Sequence, residues 1–190
     1  MQFASIVAAL LAIATPSWAS EKKEWVTLKD CQYVESKDND GDSFRVRAGD
    51  KEFTARLYYV DAPETNLKQA ERTHEQSLHF GITLDETMKA GVKAQTRVQT
   101  FLQKPFVVLT RWALAGGRGR QDRYYAIVEV DGKSLAEILV SEGLARAKGV
   151  AIKLRSGEKA SAYMARLEAL EKEAREKRLG AWATTVEEKK

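Results

Sequence analysis

From Trp25 to Val34, Ser43 to Arg47 and Phe53 to Val60, apolar or β-branched positions recur with turn residues between them. With Asp40-Gly41 and Gly49-Asp50 as the turns, this pattern predicts a three-stranded meander. Phe44-Arg45-Val46-Arg47 alternates strictly, as a half-buried strand does. After Pro63 the period lengthens to that of a helix. Thr83-Leu84-Asp85-Glu86 has the spacing of a capping box, and Met88, Val92, Val98, Phe101 and Leu102 roughly follow one face until Pro105 stops the helix. Phe106 to Arg111 and Tyr124 to Val130 predict two further strands, joined by the polar loop Ala115 to Arg123. A second capping box, Ser134-Leu135-Ala136-Glu137, opens a short helix that buries Leu135, Ile138 and Leu139 and ends at Gly143. The last helix runs from about Glu158 to Arg178 with Tyr163, Met164, Leu167 and Leu170 on its inner stripe. Gly180 then stops it, and Trp182 can fold back on the core.

Three strands, a helix, two strands and further helices predict an α+β fold. The expected architecture is a five-stranded antiparallel β-barrel of the oligonucleotide/oligosaccharide-binding (OB) type with flanking α-helices. A chain of 190 residues has room for one such domain and a core to fill it. The first stretch, MQFASIVAALLAIATPSWAS, has no charged side chain, and its apolar run from Ile6 to Ala14 is too short to cross a bilayer. Ser17-Trp18-Ala19 has small residues where a signal peptidase reads, so residues 1–19 are expected to be a signal peptide, with an uncleaved anchor as the alternative. Residues 20–183 then form the domain and 184–190 a tail. The expected location is secreted or periplasmic, without stable membrane association, and the expected state a monomer.

The formal net charge of +4 lies wholly outside the leader and points only weakly to a polyanionic partner. Cys31 is the single cysteine, which excludes an internal disulfide. Against this basic background SKDNDGDSFRV, residues 36–46, concentrates Asp38, Asp40 and Asp42. Their mutual repulsion costs free energy unless water or a cation offsets it, and an Asp-Gly hairpin turn is the plainer explanation. An EF-hand is excluded, since placing Gly41 at loop position 6 puts Ser36 at 1 and Arg47 at 12. His74 and His79 are five apart rather than the four of a zinc-protease helix, and read as surface or packing residues.

Downstream, Arg56 to Thr65 holds a second acidic site. Asp61 ends a strand, Pro63 stiffens the turn, and Glu64 follows three residues later. If the hairpin brings Asp42 beside Asp61, these carboxylates and a carbonyl such as that of Ala62 would suit Ca²⁺ or a similar hard cation. An ion pair between Asp61 and Arg56 is the competing explanation, and strict alternation does not put residues five apart on one strand face. In AGGRGRQDRYYAIVEVDGK, residues 115–133, glycines allow close approach while Arg118, Arg120 and Arg123 supply positive charge, either for a polyanion or merely at a hairpin tip.

Together these pieces resemble the staphylococcal nuclease-like (thermonuclease) family from about Tyr33 to Trp182. The carriers are Asp40-Gly41-Asp42-Ser43, Arg56 to Thr65, Asp122-Arg123 leading into Ala126 and Asp131-Gly132-Lys133, Glu142-Gly143-Leu144-Ala145, and Ala174 to Trp182. The resemblance implies Ca²⁺ held by Asp42, Asp61 and the Ala62 carbonyl, with Asp40 behind them. It implies Arg56, Glu64 and Arg123 as the catalytic trio, Arg118 and Arg120 as substrate contacts, and DNA and RNA as substrates cut endonucleolytically to 3′-phosphate ends. The alternative is a catalytically inactive OB-fold module that binds nucleic acid or a protein partner. The chain departs from the family at Gly149, Ala151 and Gln121, which replace substrate-side tyrosines. It also carries an insertion around Leu67 to Glu86, expected either to shield the site or to pack on the barrel.

Overall fold

Strands β1 (Val26–Val34), β2 (Ser43–Ala48) and β3 (Lys51–Leu57) form the expected meander, each antiparallel to the next. The computed structural model describes residues 23–116 and 123–184. The leader, the loop arginines Arg118 and Arg120, Gln121 and nearly all of the tail therefore lie outside the described residues. Strand β4 (Phe106–Leu114) pairs antiparallel with β1, and β5 (Arg123–Val130) antiparallel with β4. The ring closes where β5 runs parallel to β3, with Thr54 opposite Arg123 and Arg56 opposite Tyr125. Five strands thus make the OB-type ring, and the seam between β3 and β5 is its one departure from antiparallel pairing. A two-residue strand β6 (Lys133–Ser134) extends the sheet beyond β5.

Alternation explains the inside of the ring. Phe44 and Val46, then Phe53, Ala55 and Leu57, then Ala126, Val128 and Val130 occupy every second position and are buried. Strand β3 stops short of Val60 because Tyr59 takes a left-handed backbone, φ 71°, and turns the chain while its ring stays buried against Tyr163. That turn is what swings Asp61 round toward Arg56.

Helix α1 (Ala70–Phe80) fills the insertion, and α2 (Leu84–Phe101) follows it. The first capping box forms: Thr83 Oγ1 accepts the Glu86 N–H at 3.2 Å and the Glu86 carboxylate accepts the Thr83 N–H at 2.9 Å. The second does not. Ser134, at the start of α3 (Leu135–Ser141), spends its hydroxyl on Tyr163 of α4 at 2.8 Å, so α3 is held by burial of Leu135, Ala136, Leu139 and Val140 while Ile138 is half-exposed. Helix α4 (Ala160–Glu176) buries Tyr163, Leu167 and Ala174, with Met164 and Leu170 only partly covered. Trp182 does fold back. Its ring packs 4.7 Å from that of Phe80 and 5.5 Å from that of His79, which pins α1 to the end of the chain. His79 also pairs with Glu171 at 2.6 Å, and His74 is exposed, so both histidines serve packing and surface as expected. Among the described residues no helix is long and apolar enough to cross a membrane.

Candidate active site

The loop between β1 and β2 resolves the aspartates into separate tasks. Asp38 is exposed. Asp40 Oδ1 accepts the N–H groups of Asp42 at 2.9 Å and Ser43 at 2.6 Å, which makes the tight turn. Asp42, 1% exposed, is thereby aimed away from solvent toward β3, and its Oδ2 accepts the Ala62 N–H at 2.8 Å. Gly41 is required at this turn, since a Cβ there would stand 2.7 Å from the Cβ atoms of both Ala62 and Ala94. The turn and the acidic site are therefore one structure.

Arg56 projects from β3 between the two acidic segments. It pairs through Nη1 with Asp42 Oδ1 and through Nη2 with Asp61 Oδ1 at 3.3 Å, so Asp42 and Asp61 lie on either side of a single guanidinium. Across the β3–β5 seam, Arg123 donates Nη1 to Ser43 Oγ at 3.3 Å, and Arg56 Nη1 stands 3.4 Å from the same oxygen. Two guanidiniums from neighbouring strands thus meet at one hydroxyl. Arg123 also donates to the Gly116 carbonyl.

Helix α1 adds residues that the sequence pattern did not single out. Arg72 pairs with Asp61 Oδ1, lies 3.8 Å from Asp42 Oδ2, and forms an ion pair with Glu64, Nε to Oε1, at 3.1 Å. Gln76, fully buried, donates to Asp61 Oδ2 at 3.0 Å and to the Ala62 carbonyl at 2.9 Å, while its own oxygen accepts the Glu64 N–H at 2.8 Å. A single amide therefore clamps the segment Asp61 to Glu64. Arg146, beyond α3, is also buried. It exchanges backbone hydrogen bonds with Asp61 and donates Nε to Asp61 Oδ2 at 2.9 Å.

These partners push the carboxyls in different directions. Burial pushes Asp61 up, but Arg72, Gln76, Arg146 and Arg56 outweigh it and hold the group below the usual carboxylate range. For Asp42 burial wins: Arg56 opposes it, Asp40 and Asp61 reinforce it, and the group is raised to about 7. Burial likewise raises Glu64, against the opposing charge of Arg72.

The donors suit a hard cation in kind, being two carboxylates and a carbonyl. Asp42 and Asp61 face a common cationic atom, since Arg72 Nη2 pairs with Asp61 Oδ1 and lies 3.8 Å from Asp42 Oδ2. The Ala62 carbonyl keeps a second lone pair beyond the one Gln76 uses. Among the described residues no three His, Cys, Asp or Glu side chains group to hold a metal. Of the replaced aromatics, Gly149 lies against the backbone of Val60 and Ala151 is exposed.

A family model described as staphylococcal nuclease homologue matches residues 54–184, more than half of the chain. The chain belongs to the staphylococcal nuclease family. A search of curated proteins finds no match. The staphylococcal nuclease match takes in Arg56, Glu64 and Arg123 but begins after Asp40 and Asp42. It is the fold that brings those two aspartates to the site, through the pairing of β2 with β3 and the reach of Arg56. A family of this kind is a nuclease type, with nucleic acids as its general substrates.

Proposed function

We propose that the chain is an exported, calcium-dependent, sugar-nonspecific endonuclease, acting as a monomer on DNA and RNA and leaving 3′-phosphate ends. The observation that carries this reading is the meeting of Arg56 and Arg123 at the Ser43 hydroxyl, beside the carboxylates of Asp42 and Asp61. A phosphodiester drawn to that point would meet two guanidiniums, whose donors could turn to its non-bridging oxygens once Asp42 and Asp61 bind the ion. Asp42, Asp61 and the Ala62 carbonyl would hold Ca²⁺, which supplies a Lewis acid for the same oxygens.

Glu64 takes the proton of the attacking water as the water oxygen bonds to phosphorus. The bond from phosphorus to the 5′-oxygen breaks, that oxygen takes a proton from solvent water while Glu64 releases its own to solvent, and the phosphate stays on the 3′-side. Arg56 and Arg123 stabilise the negative charge that builds on the equatorial oxygens, and fixed donors of this kind are worth about 10²–10³-fold each in turnover. Contacts of this sort read backbone charge, which carries no base information, and so support weak sequence preference. Arg118 and Arg120, substrate contacts by the family resemblance, would add positive charge toward the polyanion.

The test is direct. The protein incubated with supercoiled plasmid and with RNA, in calcium and in chelator, should degrade both only in calcium and leave 3′-phosphate termini. Retarded but intact nucleic acid would favour the inactive binding module instead.

A further inference from the structure

The carboxylate cluster already has a cation, and helix α1 provides it. Arg72 touches Glu64 through Nε and both Asp61 and Asp42 through Nη2. Those are the groups read above as the water activator and the ion ligands. Asp40, Asp42, Asp61 and Glu64 are gathered with Arg56, Arg72, Arg123 and Arg146, so guanidiniums already crowd the carboxyls. A doubly charged ion added to this set would meet guanidinium repulsion at short range in a partly dehydrated site.

The three guanidiniums on Asp61 differ in freedom. The side chain of Arg146 is 3% exposed and its backbone is bridged to Asp61, so it cannot leave without opening the fold. Arg56 sits in β3, paired on both edges, with its side chain 12% exposed. Arg72 stands in the first turn of α1 with 28% of its side chain open to water. It alone can swing outward by side-chain rotation.

We propose that Arg72 is a tethered cation that closes the Asp42–Asp61–Glu64 cluster, and that a divalent ion binds only by displacing it. The inference rests on the calcium site of the preceding reading. A tethered competitor leaves the site open in only a fraction of molecules, and the apparent calcium affinity is reduced by that fraction, so the chain binds calcium more weakly than the same ligands would with Arg72 swung out. The insertion would then set the calcium threshold of the site.

The test is calcium titration of the full chain and of Arg72→Gln by calorimetry, together with the arginine Nε–H resonances of the wild-type protein. The expected result is at least about tenfold tighter calcium binding by R72Q, and a shift of the Arg72 resonance as calcium saturates wild type. Equal or weaker binding by R72Q, or no binding by either protein, overturns the proposal. Should R72Q not fold, the wild-type spectrum decides: saturation that leaves the Arg72 resonance unmoved overturns it as well. Plasmid cleavage by wild type at saturating calcium separates the two readings. Competition without cleavage sinks only the nuclease, and cleavage without competition sinks only the role of Arg72.

Discussion

Helix α2 is indented at Gly91, and the backbone of Glu64 lies in the indentation: a Cβ on Gly91 would stand 2.5 Å from the Glu64 carbonyl oxygen. The Pro63 carbonyl is 2.6 Å from the same point, so neither neighbour is a side chain that could rotate away. Gly91→Ala should therefore lower stability by about 1–3 kcal/mol, although alanine is the better helix former. It should also move Glu64, at a cost of up to about 10²-fold in turnover for a displacement near 1 Å. Urea unfolding and plasmid cleavage on the same preparation would measure both.

Arg123→Lys keeps the charge and removes the fork. Turnover on DNA should fall by about 10²-fold, while stability changes by less than about 0.5 kcal/mol because the side chain is only partly buried at the seam. Wild-type turnover in a folded R123K protein would remove Arg123 from the reaction.

Glu64 must be ionised to take a proton. Because burial raises its pKa above the usual glutamate value, turnover should climb with pH through a range higher than an exposed glutamate would give. Glu64→Gln should lose most of the turnover and with it this acidic limb. A pH–rate profile of the two proteins is the measurement, and an unchanged limb in E64Q would assign it to another group.

Glu171 of α4 accepts from His79 of α1 at 2.6 Å and from the Ala147 N–H at 2.8 Å, with Arg146 nearby. Burial pushes its carboxyl up, yet these partners prevail and hold it below the ordinary glutamate value. A depressed carboxyl contributes stability that is present above its unfolded value and lost as pH falls through the folded one. Wild type should hence exceed Glu171→Gln in unfolding free energy at neutral pH, and the gap should close on acidification. Denaturant titrations across acidic pH would show it.

Arg146→Met would leave Asp61 with a vacant buried edge. Because Arg56, Arg72 and Gln76 still hold Asp61, the loss is that of a charge-assisted hydrogen bond, about 1.5–3 kcal/mol, and thermal unfolding should fall accordingly although no strand is touched.

The barrel strands could be read from alternation because a ring with an apolar inside and a wet outside writes period two into the chain. Asp42, Asp61 and Glu64 stood out because their carboxyls sit beside Asp-Gly and Pro turns, whereas Arg56 and Arg123 acquired roles only through the family resemblance. Arg72, Gln76 and Arg146 did not stand out. The inner face of α1 is Thr73, Gln76, Ser77 and Phe80, a helical stripe with correct spacing but mostly polar side chains, which a hydrophobic period cannot register. The second capping box misled for a related reason: a distant hydroxyl, that of Tyr163, claimed Ser134, and nothing local signals such a competitor.

Asp61 and Arg146, 85 positions apart, meet by both backbone and side chain. A nascent chain that has not yet reached Arg146 holds the acidic loops and the α1 residues that clamp them, but not the buried guanidinium that closes round Asp61. Completion of the acidic cluster must then wait for the C-terminal part of the chain to fold against it.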